Sequence, residues 1–184
     1  MKGFFEELRS SILPPPKEEI SKNVREYVID NIDKIVDKVV QTLVNFDEIK
    51  MCLEKNNLAV ETASKLFKDF YKFVFESKAS EDYIKRVAKV SFAHIRSGVS
   101  ERLITLTFYL FTKEILGFLR EKYCDQIPKV LSWLYWTYDI MARSYERARY
   151  LCLEKSVKIS EELFNRLVRL KAEEIYKELS EMVK

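Results

Sequence analysis

Residues 82–98 read DYIKRVAKVSFAHIRSG and carry His94, the single histidine of the 184-residue chain. Ser80 supplies a capping hydroxyl before this stretch, and Glu81 is the first of two acids that favour the start of a helix. We therefore predict a helix that begins there and ends near Gly98. A lone imidazole excludes the common metal sites that need several histidines. His94 is then either a packing or surface residue, or the one nitrogen ligand of a site whose other ligands come from a cofactor.

The composition of the chain predicts an all-α fold. Three glycines and four prolines are few for 184 residues, so the sequence offers little of the turn material that a sheet or a phosphate-binding loop needs. A hydrophobic content of 47% is sufficient for a buried core. Ten tyrosines and twelve phenylalanines suit either a thick core or an enclosed flat ligand. The formal net charge of only +3 predicts no nucleic-acid partner.

Cysteine usage and the N-terminal residues favour a soluble, cytoplasmic protein without a membrane partner. Cys52, Cys124 and Cys152 are odd in number and lack C-x-x-C spacing, which argues against a disulfide framework and a thiolate metal site. The first seven residues, MKGFFEE, place acids where a signal peptide needs an apolar core, and no apolar run reaches the length of a membrane span. Abundant lysine, glutamate and isoleucine with scarce glutamine and histidine are typical of a thermophile.

Helical periodicity predicts a lead-in over residues 1–16, a main domain over 17–155 and a terminal amphipathic helix over 156–184. The lead-in ends at three consecutive prolines, which cannot continue a helix. The first stretch of the main domain is one helix or two, with Asp30–Asn31 as the junction. Apolar residues at spacings of three and four predict six helical stretches in the main domain. They cover residues 17–44, a short stretch that ends at 53, then 60–75, 80–98, 100–122, and a last one from 128 past 153.

One segment of the sequence resembles a known family. Glu81-Asp82-Tyr83-Ile84-Lys85-Arg86 followed by His94-x-Arg96-x-Gly98 resembles the proximal helix of the globin-coupled sensors and their protoglobin relatives, where a haem-ligating histidine precedes Arg and Gly. The likeness covers about residues 20–153, by residue identity in this segment and as a pattern of helices elsewhere. It implies a globin-like fold of the globin-coupled sensor type, with an extra N-terminal segment and an added C-terminal helix.

The resemblance also implies a cofactor site. His94 would be the proximal ligand of haem b iron, with the opposite side open to a diatomic gas, O2, NO or CO. The family's sensors usually place a tyrosine late in the second helix, where its hydroxyl hydrogen-bonds bound oxygen. Counting back from His94 without gaps brings Gln41 to that place, and its amide can donate a hydrogen bond to a ligand. The other residues expected at the cofactor are Leu66, Phe67, Phe70 and Val90.

Two alternatives to a haem protein stay open. The family tends to carry Pro and then Trp-Tyr after the glycine, where this chain has Ser100-Glu101-Arg102-Leu103-Ile104. A haem-free globin-like regulatory module that acts through dimerisation is therefore the main alternative. In that module Phe67 and Phe70 would be ordinary core residues, since helical spacing alone does not separate the two roles. An unrelated helical bundle that acts as a scaffold is the second alternative.

The expected assembly is a homodimer through the helices over 101–122 and 128–154. These helices carry more apolar surface than one small core needs, and in the family this pair forms a four-helix bundle across a twofold axis. The terminal helix is the segment expected to contact a signalling partner protein. No enzyme is expected, because His94 has no orienting carboxylate nearby in sequence, and haem-dependent NO dioxygenation would need a reductase that the chain lacks.

Overall fold

The structure is a computed structural model that describes residues 2–182, and most of these residues are helical. No strand occurs in that range, and none of its helices is long and apolar enough to cross a membrane. The all-α class predicted from the composition is confirmed. The helices are α1 Lys2–Ser11, α2 Lys22–Asp30, α3 Ile32–Leu43, α4 Asp47–Lys55, α5 Val60–Glu76, α6 Glu81–Arg96, α7 Glu101–Arg120, α8 Ile127–Val157 and α9 Glu161–Met182, with a short 3-10 turn at Cys124–Gln126.

The chain divides into two compact units, over residues 1–145 and 146–184. In the second unit, the last turns of α8 pack against the first turns of α9. The rings of Tyr150 and Phe164 meet edge to face with centroids 5.4 Å apart, and Arg147 forms an ion pair with Glu161. The apolar residues farther along α9 are largely exposed within the described part of this unit.

Serine caps begin α6 and α7, and a side-chain hydrogen bond marks the junction between α2 and α3. The Oγ atoms of Ser80 and Ser100 accept hydrogen bonds from backbone N–H groups in the first turns of α6 and α7, at 3.1 and 3.3 Å. The predicted stretch over residues 17–44 contains two helices, α2 and α3, which meet at Asn31. The Asn31 amide donates to the carbonyl of Tyr27 at 2.8 Å. Such local bonds compete with the helical pattern and favour a junction.

A core of aliphatic and aromatic side chains joins α2, α3, α5, α6, α7 and the first part of α8. Helix α3 packs on both α5 and α7. Its buried residues recur at spacings of three and four, as expected for a helix with one apolar face. They are Ile32, Ile35, Val36, Val39, Val40 and Leu43.

Tyr83 anchors the start of α6 in this core. Its side chain is 1% exposed, and its ring stacks on those of Phe73 and Trp136 with centroids 5.1 and 5.3 Å apart. Its hydroxyl lies 2.6 Å from Thr137 Oγ1, which in turn donates to the carbonyl of Trp133. Burial raises the pKa of Tyr83, so the phenol stays neutral. The first turn of α6 is thereby held against α5 and α8.

The N-terminal segment packs against the same helices. Phe4 of α1 lies with its ring centroid 5.2 Å from that of Phe92 on α6. Beyond α1, the Leu13 N–H donates to Asp139 Oδ2 at 2.7 Å, and the Trp136 indole N–H donates to the Leu13 carbonyl at 3.0 Å. The lead-in predicted from the sequence is therefore part of the first compact unit.

Tyr83→Phe should lower the free energy of unfolding by about 1 kcal/mol, because it removes one buried hydrogen bond and keeps the ring stack. Tyr83→Ala should lower it by about 3–5 kcal/mol, because it also leaves a cavity among aromatic neighbours. Urea denaturation of the two variants and the wild type measures both values. A Tyr83→Phe variant as stable as the wild type would show that the bond to Thr137 does not stabilise the fold.

Candidate functional site: an apolar cavity beside His94

The register of α6 brings His94 to the interior. Tyr83, Val90 and His94 follow at spacings of seven and four, which place them on one face of a helix. Tyr83 fixes that face at the start of α6. Ser91, beside it, is fully buried, and its hydroxyl donates to the carbonyl of Met141 on α8 at 2.9 Å. With both contacts made, the last turn of α6 presents His94 to a cavity.

The cavity beside His94 has a volume of about 370 Å³. Ligand pockets typically have volumes of about 300–1,000 Å³. Side chains from α3, α4, α5, α6, α7 and the first part of α8 form its wall. The wall is mainly aliphatic and aromatic, and among the described residues no aspartate, glutamate, lysine or arginine lines it. Such a lining suits a flat, apolar ligand.

His94 lines this cavity and has one unpaired ring nitrogen. Its Nδ1 is buried and has no hydrogen-bond partner among residues 2–182. Buried polar atoms in proteins are nearly always paired, so an unpaired one is unusual and is typical of residues with a role in binding or catalysis. Burial lowers the pKa of His94, because desolvation disfavours the charged imidazolium. The neutral imidazole is the form that binds metals.

The structure brings five of the six predicted site residues to one cavity. His94 and Val90 line it from α6, and Leu66, Phe67 and Phe70 line it from α5. Leu66 is 57% exposed, so it lies at the rim rather than deep in the wall. The ring of Phe67 also packs on Phe111 of the core. Contact of these residues with a cofactor remains a prediction.

Gln41 is the predicted site residue that the structure does not bring to the cavity. Its side chain is exposed on α3, while the adjacent Val40 and the following Leu43 and Val44 line the cavity. Counting residues back from His94 reached the right helix and the wrong face. The apolar spacing of α3 turns position 41 toward solvent, and this corrects the expectation that the Gln41 amide faces a ligand.

Helix α4 forms a part of the wall that the sequence did not predict. It has no buried residue, yet Ile49, Cys52 and Leu53 line the cavity. Cys52 and Leu53 follow Ile49 by three and four positions, and this spacing was the signal in the sequence that could have predicted an inner face for α4. The inner face of α4 therefore borders the cavity, with Ile49 also packed against the core.

Polar contacts tie α4 to the segment after His94. Glu48 accepts a hydrogen bond from Ser100 Oγ at 2.8 Å and pairs with Arg102. At the other end of α4, the Asn56 amide donates to the carbonyl of Ser97 at 2.9 Å. Ser100 and Arg102 belong to the segment that departs from the family's pattern. In this chain that segment holds the helix that covers the cavity.

Gly98 ends α6 as the sequence predicts. Its φ is +69°, a left-handed conformation that favours glycine. The Val99 N–H donates to the carbonyl of His94 at 2.9 Å, and the Gly98 N–H donates to that of Ile95 at 3.0 Å. This pair of bonds is the Schellman arrangement, which satisfies the last carbonyls of a helix. Gly98 thus fixes the turn that follows the candidate ligand.

The family model of the protoglobins matches residues 16–149, which is more than half of the chain. The chain belongs to the protoglobin family. No curated protein matched the sequence. The family suggested by the segment around His94 is therefore confirmed, together with the all-α globin-like fold.

Gly98→Ala should lower the free energy of unfolding by about 1 kcal/mol, because alanine is strained in the left-handed region. Gly117→Ala on α7 is the matched control, since an added Cβ there would meet no atom within 4 Å. It should raise the free energy of unfolding by about 0.5–1 kcal/mol through better helix propensity. Urea denaturation distinguishes the two. Equal shifts of the same sign would contradict the role of Gly98 as a left-handed cap.

Proposed function

We propose that the protein is a haem-binding globin that takes a diatomic gas, O2, NO or CO, at iron ligated by His94, and that it serves as a gas sensor. The observation that carries the proposal is that His94, the single histidine of the sequence, lines an apolar cavity and keeps a buried ring nitrogen without a partner among the described residues. Membership in the protoglobin family, a globin family, supports it. The family also supports ligand binding rather than catalysis.

The described residues fit haem b by their chemistry. Imidazole is a common axial ligand of haem iron, and a neutral imidazole is favoured at this buried position. Phe67, Phe70 and Val90 contribute apolar wall to the same cavity. When bound, haem would supply an iron atom with one coordination position for a gas. The chain's own contribution would be to hold and orient the imidazole and to keep water away from it.

We propose residues 17–155 as the sensor domain, with 1–16 as its lead-in and 156–184 as a terminal helix that contacts a signalling partner protein. The family match over residues 16–149 supports the first part. The exposed apolar side chains of α9, among them Leu163, Leu167 and Leu170, support the last. We further propose that the protein acts in the cytoplasm.

An absorption spectrum of the untagged protein, purified after haem supplementation, tests the proposal. We expect a Soret band in the wild type and its loss or strong change in His94→Ala, because the variant lacks the axial nitrogen. Free imidazole added to His94→Ala should restore the wild-type spectrum by replacing the missing ligand. Far-UV circular dichroism checks that the variant is folded. A folded, colourless wild type would instead support the haem-free regulatory module.

We also propose a homodimer through α7 and the part of α8 in the first unit. Tyr109 on α7 is 61% exposed and Tyr135 on α8 is 58% exposed. The two helices are neighbours, since the hydroxyls of Thr105 and Tyr138 lie 2.7 Å apart. Exposed aromatic side chains on adjacent helices mark interaction surfaces. The four-helix bundle that this helix pair forms in the family favours a second copy as the occupant.

Replacing both Tyr109 and Tyr135 with glutamate should convert the dimer into a monomer, because it places unpaired charge in an apolar interface. Multi-angle light scattering measures the mass. Met51→Glu is the matched control, since Met51 is also 61% exposed but lies on α4, and it should remain dimeric. A wild-type monomer, or a double variant with unchanged mass, would refute this assembly.

A further inference from the structure

Tyr71 is a buried tyrosine in the wall of the cavity. Its side chain is 2% exposed. Its ring stacks on Phe111 with centroids 4.1 Å apart and meets Phe70 edge to face at 5.3 Å. These contacts hold the phenol in one orientation. Tyr71 belongs to α5, so it lies in a different part of the wall from His94 on α6.

The Tyr71 hydroxyl has no hydrogen-bond partner among the side chains and backbone groups of residues 2–182. Tyr83, which is also deeply buried, shows the usual arrangement, with its hydroxyl paired to Thr137 at 2.6 Å. Unlike His94 Nδ1, the Tyr71 hydroxyl is not sealed from solvent. Because the side chain as a whole is buried, the space that its hydroxyl meets is the cavity that Tyr71 lines, where a ligand can accept its hydrogen bond.

Two other hydroxyl side chains line the cavity, and neither is buried as Tyr71 is. Ser97 and Thr107 are both partly exposed, so they lie nearer the surface than Tyr71 does. Burial raises the pKa of Tyr71 well above its usual value. The protonated phenol can donate a hydrogen bond.

We propose that Tyr71 is the hydrogen-bond donor of the cavity and that it selects ligands by their strength as acceptors, favouring O2 over CO. The proposal rests on the proposed function, since it needs a gas held in the cavity. In this proposal Tyr71 on α5 makes the hydrogen bond to the ligand that the sequence predicted for Gln41 on α3. Bound O2 carries more negative charge than bound CO, and hydrogen bonds to charged acceptors are the stronger ones.

The test compares O2 and CO dissociation rates of the haem-loaded wild type, Tyr71→Phe and Tyr83→Phe by stopped-flow absorbance. Tyr71→Phe removes the donor and keeps the ring, so O2 should dissociate about tenfold faster. CO dissociation should change by less than about twofold, and the C–O stretching frequency should rise. Tyr83→Phe is the matched control, because Tyr83 does not line the cavity, and its rates should equal those of the wild type.

Urea denaturation supplies a readout that does not depend on gas binding. Tyr71→Phe should keep or raise the midpoint, because no bond within the protein is lost when its hydroxyl is removed. Tyr83→Phe should lower the midpoint, because its bond to Thr137 is lost. If Tyr71→Phe lowers the midpoint as much as Tyr83→Phe does, the Tyr71 hydroxyl is paired within the protein and the proposal is overturned.

The two proposals fail in different ways. A Soret band with O2 dissociation unchanged in Tyr71→Phe overturns the role of Tyr71 and leaves the haem function standing. The same holds if Thr107→Val, and not Tyr71→Phe, accelerates O2 dissociation. A wild type without a Soret band overturns the haem function, and the role of Tyr71 with it.

Discussion

The stack of Tyr83 on Phe73 and Trp136 is the contact on which the site depends. It fixes both the depth and the rotation of α6 at its first turn. Because a helix repeats its faces every 3.6 residues, His94, eleven residues on, then emerges on the same face. The Ser91 bond to Met141 holds the helix at a second point. A rotation of α6 by a quarter turn would bury a different residue at the cavity and carry the imidazole away from it.

The helix ends could be predicted from the sequence because they depend on local chemistry. Serines that cap α6 and α7, the prolines after α1, and Gly98 at the end of α6 act through residues one to five positions away. The junction at Asn31 stayed open, because only the folded backbone shows its amide bonded to the Tyr27 carbonyl. Local signals therefore sufficed except where a side chain competes with the helix itself.

The candidate site was predictable only in part. His94 and Val90 were found because one short segment carries both and resembles a family. Gln41 was misplaced because counting residues fixes a position along a helix and says nothing about rotation, which the buried Val36, Val39 and Val40 determine. Tyr71 was missed for another reason. Helix α5 carries aromatic residues on several sides, so only the tertiary packing distinguishes a wall residue with an unpaired hydroxyl from ordinary core.

The cavity combines apolar walls with two polar side chains, His94, whose Nδ1 is unpaired, and Tyr71. An unpaired buried nitrogen lowers the stability of the fold relative to a paired or apolar equivalent. Both are held rigidly by aromatic or helical packing, which reduces the entropy cost of binding. Binding and catalytic sites often contain such groups, which lower the stability of the fold but are needed for function. The surrounding core, from Tyr83 to the α3–α7 packing, compensates for that loss of stability.

The central claim is that the single imidazole of the chain ligates iron. Since the sequence contains one histidine, an untagged protein grown with ¹⁵N-labelled histidine carries a single labelled ring. Every imidazole signal in its ¹⁵N NMR spectrum therefore comes from His94. In the haem-supplemented, paramagnetic protein, the account predicts that both ring nitrogen signals are strongly shifted or broadened by the iron. Two signals at ordinary imidazole positions that titrate with pH would contradict it.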